Sequence, residues 1–146
     1  MKLNCWIVDD EPLALGLLDS YVQKTPFLNS TGKYSSAIQA MNNMPNERID
    51  VIFLDIQMPE VNGMEFARFL DKNTRIIFTT AFSEYALDGY KVNALDYLLK
   101  PFSYSEFLSA SKRALEWFEM KAASEEKGES EVSGIFVRSD YKLVHV

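Results

Sequence analysis

Three apolar runs in the chain have the length of β-strands. They lie at residues 3–8, 51–54 and 75–80, and the last two are continuous rather than alternating. Continuous apolar runs are typical of strands that helices cover on both faces of a sheet. Two further strands are predicted near residues 28–34 and 95–99. The pattern therefore indicates five strands, with the central ones buried on both sides.

Helices are predicted between and after these strands, at residues 11–24, 36–43, 62–71, 84–90 and 103–121. In the first helix, apolar residues at helical spacing predict one buried stripe: Leu13, Leu17, Leu18, Tyr21 and Val22. Three helix starts carry a polar residue followed three positions later by Glu or Gln, the pattern of a capping box: Ser36 and Gln39, Asn62 and Glu65, and Ser103 and Glu106.

Strand and helix alternate five times within residues 1–121. This alternation predicts an α/β domain with a parallel sheet, right-handed crossovers and helices on both faces of the sheet. In such a sheet, ligands bind in the crevice beyond the carboxyl ends of the strands. We therefore expect the functional site at that edge.

The rest of the chain differs from this domain in composition. Residues 122–134 are polar and charged, too poor in apolar residues to bury themselves, and are predicted to form a linker. Residues 135–146 contain two short apolar segments, which predict a hairpin or the first strands of another domain. So short a segment forms no core of its own. The chain is thus expected to hold a domain at 1–121, a linker and the start of a truncated second domain.

Charge and cysteine content narrow the functional classes. With 15 Lys and Arg against 21 Asp and Glu, the net charge of −6 argues against nucleic-acid binding by bulk electrostatics. Cys5 is the one cysteine and lies in an apolar run, so we interpret it as a buried apolar residue. The chain has no secretory signal pattern and no apolar run near the ~18 residues of a membrane span. We expect a cytoplasmic protein with no membrane partner.

Polar groups stand at the carboxyl ends of four predicted strands. Asp9 and Asp10 follow the first strand and Asp55 the third, while Thr80 ends the fourth and Lys100 follows the fifth. Because these ends meet at one edge of a parallel sheet, we expect three carboxylates, a hydroxyl and an ammonium in one site. An isolated Asp pair at a strand end is more often a cap or a solvated turn. The complete set, however, is suited to a divalent cation and a phosphoryl group.

Mg²⁺ is the expected cation, since it keeps several waters and is usually bound by one or two carboxylates plus phosphate oxygens. Asp9, Asp10 and Asp55 supply ligands of that type, and a backbone carbonyl near Gln57 is a further candidate. Mutual repulsion raises the cost of ionising all three carboxylates. We therefore predict that Asp55→Asn stabilises the metal-free protein.

Asp55 is the candidate nucleophile, because a carboxylate that attacks phosphorus forms an acyl phosphate. Thr80 is expected to donate its hydroxyl to one phosphoryl oxygen, and Lys100 to pair with another. Thr79 precedes Thr80 and is expected to point to the opposite side of the strand, which makes it the weaker candidate. The alternative for Asp55 and Thr80 is a structural role in a loop or turn.

These motifs resemble the receiver domain of bacterial two-component response regulators. The shared residues occur in the family's order and spacing over residues 1 to about 121: Asp9-Asp10, Leu54-Asp55-Ile56-Gln57-Met58-Pro59, Gly63, Thr80-Ala81 and Lys100-Pro101-Phe102. The resemblance implies a flavodoxin-like (βα)5 three-layer sandwich, whose five-stranded parallel sheet has the order 2-1-3-4-5. It also implies Mg²⁺ as the cofactor.

The resemblance implies that a phosphohistidine of a sensor histidine kinase phosphorylates Asp55. Mg²⁺ would then be bound by Asp10, Asp55 and the main chain at Gln57, with Asp9 acting through water. Such a domain is a phosphoryl-accepting switch rather than a turnover enzyme.

A switch is the second implication. In the family, the residue at Thr80 reorients toward the phosphoryl group, and an aromatic at the position of Tyr97 swings inward. Without the resemblance, Tyr97 is interpreted as a core aromatic. Activation alters the face formed by the fourth predicted helix, fifth strand and fifth predicted helix, through which we expect a homodimer.

Residues 83–87 and 92–102 are similar to receivers that precede a LytTR-type DNA-binding domain, and residues 135–146 are similar to the opening strands of that domain. The chain itself is therefore not expected to bind DNA, whereas its full-length parent is. Gln57 and Phe82 lie at positions that vary in the family and tune loss of the phosphoryl group. We expect Phe82 to screen the acyl phosphate from water.

Other functions share parts of this pattern. A haloacid-dehalogenase-like phosphohydrolase also uses a strand-end Asp with Mg²⁺ and a Lys, but it needs an acid where this chain has Gln57. Nucleotide-binding α/β folds need a Gly-rich loop after the first strand, which this sequence lacks. A receiver-like protein-binding module that is not phosphorylated is the remaining alternative. His145, the one histidine, lies in the tail, so the phosphoryl donor is expected to be external.

Overall fold

A five-stranded parallel sheet forms the centre of the protein. The computed structural model describes residues 1–44, 48–82 and 94–132. The strands are β1 (Leu3–Val8), β2 (Leu28–Tyr34), β3 (Val51–Asp55), β4 (Arg75–Thr80) and β5 (Ala94–Leu99), and their order in the sheet is β2-β1-β3-β4-β5. All four neighbouring pairs are parallel. The predicted fold class and strand order are confirmed.

The described helices are α1 (Pro12–Gln23), α2 (Ala37–Asn42), α3 (Gly63–Ala67) and α4 (Tyr104–Val132). The helix predicted at 84–90 lies outside the described residues. Helix α3 is shorter than the predicted 62–71, because the chain beyond Ala67 continues in i→i+3 hydrogen bonds at Phe69 and Leu70. Within the described ranges, every helix is too short or too polar to cross a bilayer.

Helix α4 continues past the predicted end at residue 121, into the segment predicted as a linker. Residues 122–132 are rich in Glu, Ala and Ser, with a single Lys and a single Gly. Alanine, glutamate and lysine are strong helix formers, so a polar segment of this kind propagates a helix that has already been nucleated by packed residues. Low apolar content predicts that the segment does not bury itself, but it does not distinguish an irregular linker from a helix.

The capping predictions agree with the observed hydrogen bonds at two helices and in part at the third. Asn62 and Glu65 form a complete capping box, and the Ser103 and Glu106 side chains also bond reciprocally to each other's backbone N–H. At α2, Ser36 caps the Gln39 N–H as predicted. The Gln39 side chain, however, accepts its hydrogen bonds from the residue before Ser36.

The stripe predicted on α1 is wrong at two positions. Leu13 is 81% exposed and Leu17 is 42% exposed, whereas Leu18 and Val22 are buried and Leu15 packs beside them. Residues 15, 18 and 22 share one helix face, and residues 13 and 17 lie roughly 200° away from residue 15 on the helix. Apolar spacing of three and four therefore described two faces of this helix, and only one of them meets the sheet.

Two apolar clusters cover the two faces of the sheet. One lies between the sheet and helices α1 and α4, and we call this side the α1/α4 face; it includes Ile7, Phe53, Ile77, Leu98 and Phe107. The other lies on the α2/α3 face and includes Trp6, Leu54, Ile76, Phe78 and Phe66. Side chains along each strand alternate between these faces, as the pleat of a strand requires.

Candidate functional site

Three carboxylates converge at the carboxyl edge of the sheet. Asp9 and Asp10 directly follow β1, and Asp55 is the last residue of the neighbouring strand β3. Carboxylate oxygens of the three residues lie within 4.8 Å of one another. Asp9 and Asp55 are buried, and Asp10 is exposed to solvent. The structure thus brings together the three acids that the sequence placed at strand ends.

Lys100 directly follows the edge strand β5, and its side chain contacts this cluster. Its Nζ donates hydrogen bonds to Asp9 Oδ2 at 2.9 Å and to Asp55 Oδ1 at 3.2 Å. The backbone N–H of Lys100 bonds to the carbonyl of Thr80 at 2.7 Å, which holds the start of this loop against the end of β4. The peptide bond between Lys100 and Pro101 is cis.

Burial and repulsion set the protonation behaviour of the site. Burial first, and then the charge of Asp9, raise the pKa of Asp55 to about 7, although the Lys100 ammonium acts in the opposite direction. Burial acts to lower the pKa of Lys100, but its hydrogen bond to Asp9 and the nearby carboxylate charges outweigh this effect and raise that pKa. The cluster is therefore a site of excess negative charge, which a further cation would relieve.

The donor set fits a magnesium ion. Mg²⁺ binds oxygen ligands at about 2.0–2.1 Å, so its ligand atoms lie at most roughly 4.2 Å apart, comparable to the span of the three carboxylates. Both oxygens of Asp9 are engaged, one by the Glu11 N–H and one by Lys100, whereas Asp10 faces solvent. This arrangement favours Asp10 and Asp55 as the direct carboxylate ligands.

The loop after Asp55 provides the open side of the site. Gln57 is exposed there and lines a depression of about 290 Å³ together with Ile56, Met58 and Asn62. Glu60 has a φ of 69°, and the carbonyl before it accepts a hydrogen bond from the N–H after it, which is the pattern of a γ-turn. The tight turn brings the start of α3 back onto the end of β3.

Gly63 is the residue that permits this close return. A Cβ atom at Gly63 would lie 2.2 Å from the backbone oxygen of Asp55 and 2.9 Å from Cα of Ile56. The Gly63 N–H bonds to the Ile56 carbonyl at 2.8 Å. The sequence motif marked Gly63 as part of a tight loop, but the direct contact with the Asp55 backbone is visible only in the structure.

Thr80 is the last residue of β4, and Tyr97 lies on the neighbouring strand β5. The Thr80 hydroxyl oxygen is buried and accepts a hydrogen bond from the Phe82 N–H at 3.0 Å. The Tyr97 ring stacks on Phe78, with ring centroids 5.4 Å apart, and packs against the cluster of the α2/α3 face. In this structure Thr80 bonds to its own loop, and Tyr97 is half-buried in the core.

Thr79 has a neighbour that the sequence did not reveal. As expected from strand alternation, Thr79 and Thr80 point to opposite faces of β4, but Thr79 occupies the face that also carries Asp55. The two residues are register partners on β3 and β4. The alternation itself was available from the sequence; the sharing of a face with Asp55 required the strand register.

Known proteins support a common origin for this fold and site. The profile of the response regulator receiver domain family matches residues 5–112. The transcriptional regulatory protein BtsR of Escherichia coli K12 is 44% identical over 97 residues, which cover 65% of this chain and 41% of that protein. The sensory transduction protein LytT of Enterococcus faecalis is 37% identical over 115 residues, 77% of this chain and 48% of that protein.

A solved structure agrees with these sequence matches. The response regulator TrrA of Thermotoga maritima, crystallised in complex with Mg²⁺ and BeF, has 29% sequence identity and a TM-score of 0.66. The match covers 78% of this chain and 99% of TrrA. The chain spans less than half the length of the curated relatives BtsR and LytT.

Proposed function

Since the chain belongs to the response regulator receiver domain family, we propose that it accepts a phosphoryl group on Asp55 from a partner sensor histidine kinase, in a Mg²⁺-dependent reaction. The observation that carries this proposal is the convergence of Asp9, Asp10 and Asp55 with the Lys100 ammonium at one sheet edge. This geometry supports the proposal, because the candidate nucleophile, the candidate metal ligands and an ammonium group lie close together.

The transfer exchanges one bond to phosphorus for another. An Asp55 carboxylate oxygen attacks the phosphorus of a phosphohistidine, and the bond between phosphorus and the imidazole nitrogen breaks. That nitrogen keeps the electron pair and takes a proton from solvent, while Asp55 becomes an acyl phosphate. Lys100 is well placed to stabilise negative charge on the phosphoryl oxygens, because its ammonium already contacts Asp55.

Asp10 and Asp55, with the main-chain carbonyl of Gln57, would hold the Mg²⁺ ion, and Asp9 would act through water. The engagement of both Asp9 oxygens by protein donors supports this division. Bound Mg²⁺ would neutralise part of the charge on the transferred group.

The switch would exchange contacts at Thr80 and Tyr97. The Thr80 oxygen accepts a hydrogen bond from Phe82, so its own hydroxyl hydrogen is available as a donor to a phosphoryl oxygen. Movement of Thr80 would open space beside Tyr97, whose ring packs on the same α2/α3 face. Phosphorylation thus biases an element with two arrangements through new hydrogen bonds.

The output would be regulation of transcription by a LytTR-type DNA-binding domain of a longer parent protein. The similarity of this chain to BtsR and LytT, which are both much longer, supports this assignment. We propose a receiver at residues 1–121, a connecting segment at 122–134 and the start of the second domain at 135–146. DNA binding belongs to the parent protein, which we place in the cytoplasm.

A homodimer would form through the face of the fourth predicted helix, β5 and α4. Leu99 on the edge strand β5 is 51% exposed and supplies apolar area to that face. An exposed edge strand with apolar side chains is a natural pairing surface.

Intact mass tests the proposed chemistry. The protein is incubated with acetyl phosphate, with and without Mg²⁺, beside the variant Asp55→Asn. We expect one phosphoryl adduct that requires Mg²⁺ and is absent from the variant. No adduct under any condition would favour the alternative, a receiver-like binding module that is not phosphorylated, and steady release of phosphate from other phosphate esters would favour a phosphohydrolase.

A further inference from the structure

Thr79 carries a polar group that the proposed function does not use. The residue is fully buried, and among the described residues its hydroxyl oxygen has no hydrogen-bond partner. A buried hydroxyl without a partner costs free energy relative to an apolar side chain of the same shape. This cost calls for a reason, because valine would fill the same space on β4.

The hydroxyl lies on the side of the sheet that carries the phosphoacceptor. Ile77, two residues earlier on β4, belongs to the α1/α4 cluster, and alternation returns Thr79 to that face. Phe53 on β3 also belongs to the α1/α4 cluster, so alternation along β3 places Asp55 on the same face. Thr79 and Asp55 are adjacent in the register of the two strands.

The path of the Lys100 side chain leads past Thr79. Lys100 follows β5, two residues after Leu98, which packs on the α1/α4 face. Its ammonium nevertheless contacts Asp55 on β3 and Asp9 after β1. Because β4 lies between β5 and β3, the lysine side chain has to cross the carboxyl end of β4. Thr79 is the last residue of β4 on that face.

We propose that Thr79 is a positioning residue for Lys100, and that its hydroxyl oxygen accepts a hydrogen bond from the Lys100 ammonium in the transition state of phosphoryl transfer and in the phosphorylated protein. This inference rests on the proposed function. It gives a role to a buried hydroxyl that has no hydrogen-bond partner among the described residues.

Counting donors and acceptors supports the assignment. An ammonium group has three N–H donors, and among the described residues Lys100 Nζ donates to two carboxylates. When Asp55 becomes an acyl phosphate, its bonded oxygen loses its charge and the ammonium turns toward the phosphoryl oxygens. Asp9, a phosphoryl oxygen and the Thr79 hydroxyl then provide three acceptors and fix the ammonium in one place.

The variants Thr79→Val and Thr79→Ser separate the hydroxyl from the packing. Valine keeps the shape and removes the hydroxyl, whereas serine keeps the hydroxyl and removes a methyl group. The rate of adduct formation is measured by intact mass at a fixed acetyl phosphate and Mg²⁺ concentration. Urea unfolding of the metal-free proteins is measured beside it.

We expect Thr79→Val to form the adduct about tenfold more slowly than the wild-type protein, since a hydrogen bond to a charged group is lost from the transition state. The same variant should resist urea at least as well as wild type, because the removed hydroxyl had no hydrogen-bond partner within the described ranges. Thr79→Ser should keep the wild-type rate.

Two results would overturn the inference while leaving the proposed function intact. One is a wild-type rate in Thr79→Val, which would make Thr79 a core residue only. The other is an equal loss of rate in both variants, which would assign the effect to packing. Failure of the wild-type protein to form any adduct would instead remove the proposed function, and this inference with it.

Discussion

At the scale of single residues, the protein keeps a charge arrangement at Asp55 that favours chemistry over stability. Burial and the nearby Asp9 raise the pKa of Asp55 to about 7 in the folded protein. The folded state therefore binds a proton more tightly than the unfolded chain, and stability is lost as the pH rises from about 4 to about 7. At higher pH the ionised, buried carboxylate destabilises the metal-free fold.

Removal of the Asp55 charge should reverse this loss. We predict that Asp55→Asn raises the free energy of unfolding at pH 8 by roughly 1–3 kcal/mol, and that the gain shrinks toward pH 4. Urea unfolding in the presence of a chelator measures the difference. Glu119→Gln, an exposed substitution on α4 that removes the same charge, is the matched control and should change stability little. Equal or lower stability of Asp55→Asn at pH 8 would contradict a crowded acidic site.

Gly63 is constrained by space rather than by charge. We predict that Gly63→Ala destabilises the protein by about 1–3 kcal/mol, because the new methyl group meets the Asp55 backbone and displaces the loop that follows Asp55. Gly16→Ala is the matched control: no atom lies within 4 Å of a Cβ at that helical position, so a gain of about 0.5–1 kcal/mol is expected. Thermal unfolding of the two variants tests this, and a neutral Gly63→Ala would remove the argument for close approach.

At the scale of elements, α4 is held to the sheet by an aromatic contact at the end opposite the acidic cluster. The Trp117 ring lies 4.3 Å from the Arg75 guanidinium and 5.3 Å from Lys121 Nζ. Lys121 also donates a hydrogen bond to Asn73, in the turn before β4. The Arg75 guanidinium is partly buried beneath this helix, and this burial lowers the pKa of Arg75.

This contact should anchor the long helix that leads out of the domain. We predict that Trp117→Ala lowers the free energy of unfolding by about 2–3 kcal/mol, through lost apolar burial and lost cation–π attraction. Met120→Ala, three residues further along α4 at a position that is 72% exposed, should cost less than about 0.5 kcal/mol. Equilibrium unfolding in urea compares the two. Similar small effects in both would mean that α4 is held by its other contacts alone.

At the scale of the whole molecule, the acidic cluster links metal binding to stability. A ligand that binds only the folded state stabilises that state. Once the ligand concentration exceeds the dissociation constant, the stabilisation grows with the logarithm of the concentration. We predict that millimolar Mg²⁺ raises the urea midpoint of the wild-type protein and that a chelator reverses the gain. Asp10→Asn should abolish most of the gain, because it removes the exposed carboxylate that we propose as a direct ligand. Asp71→Asn is the control, because Asp71 is an exposed Asp outside the cluster. This variant should gain as much stability from Mg²⁺ as the wild-type protein does.

Much of the fold was accessible from the sequence because its determinants are local. The strands β1, β2 and β4 begin and end where they were predicted. For β1 and β4, apolar runs followed by polar residues coincide with the strand boundaries. The same local logic marked Asp9, Asp10, Asp55 and Lys100 as strand-end groups. A parallel sheet gathers such ends at one edge, so their convergence followed from chain chemistry and the fold class.

The tertiary structure decided the features that depend on how the helices and strands pack against one another. Leu13 and Leu17 are exposed because only one side of α1 meets the sheet, which apolar spacing alone does not specify. Gly63 matters because the turn before α3 brings the chain so close to the Asp55 backbone that a Cβ atom has no room there. The role proposed for Thr79 depends on the position of β4, which lies between Lys100 and the carboxylates that Lys100 contacts. The sequence by itself determined which groups stand at the edge of the sheet, because strand ends are set by local patterns; the faces, crossings and close approaches were decided by strand order and packing, which no local pattern contains.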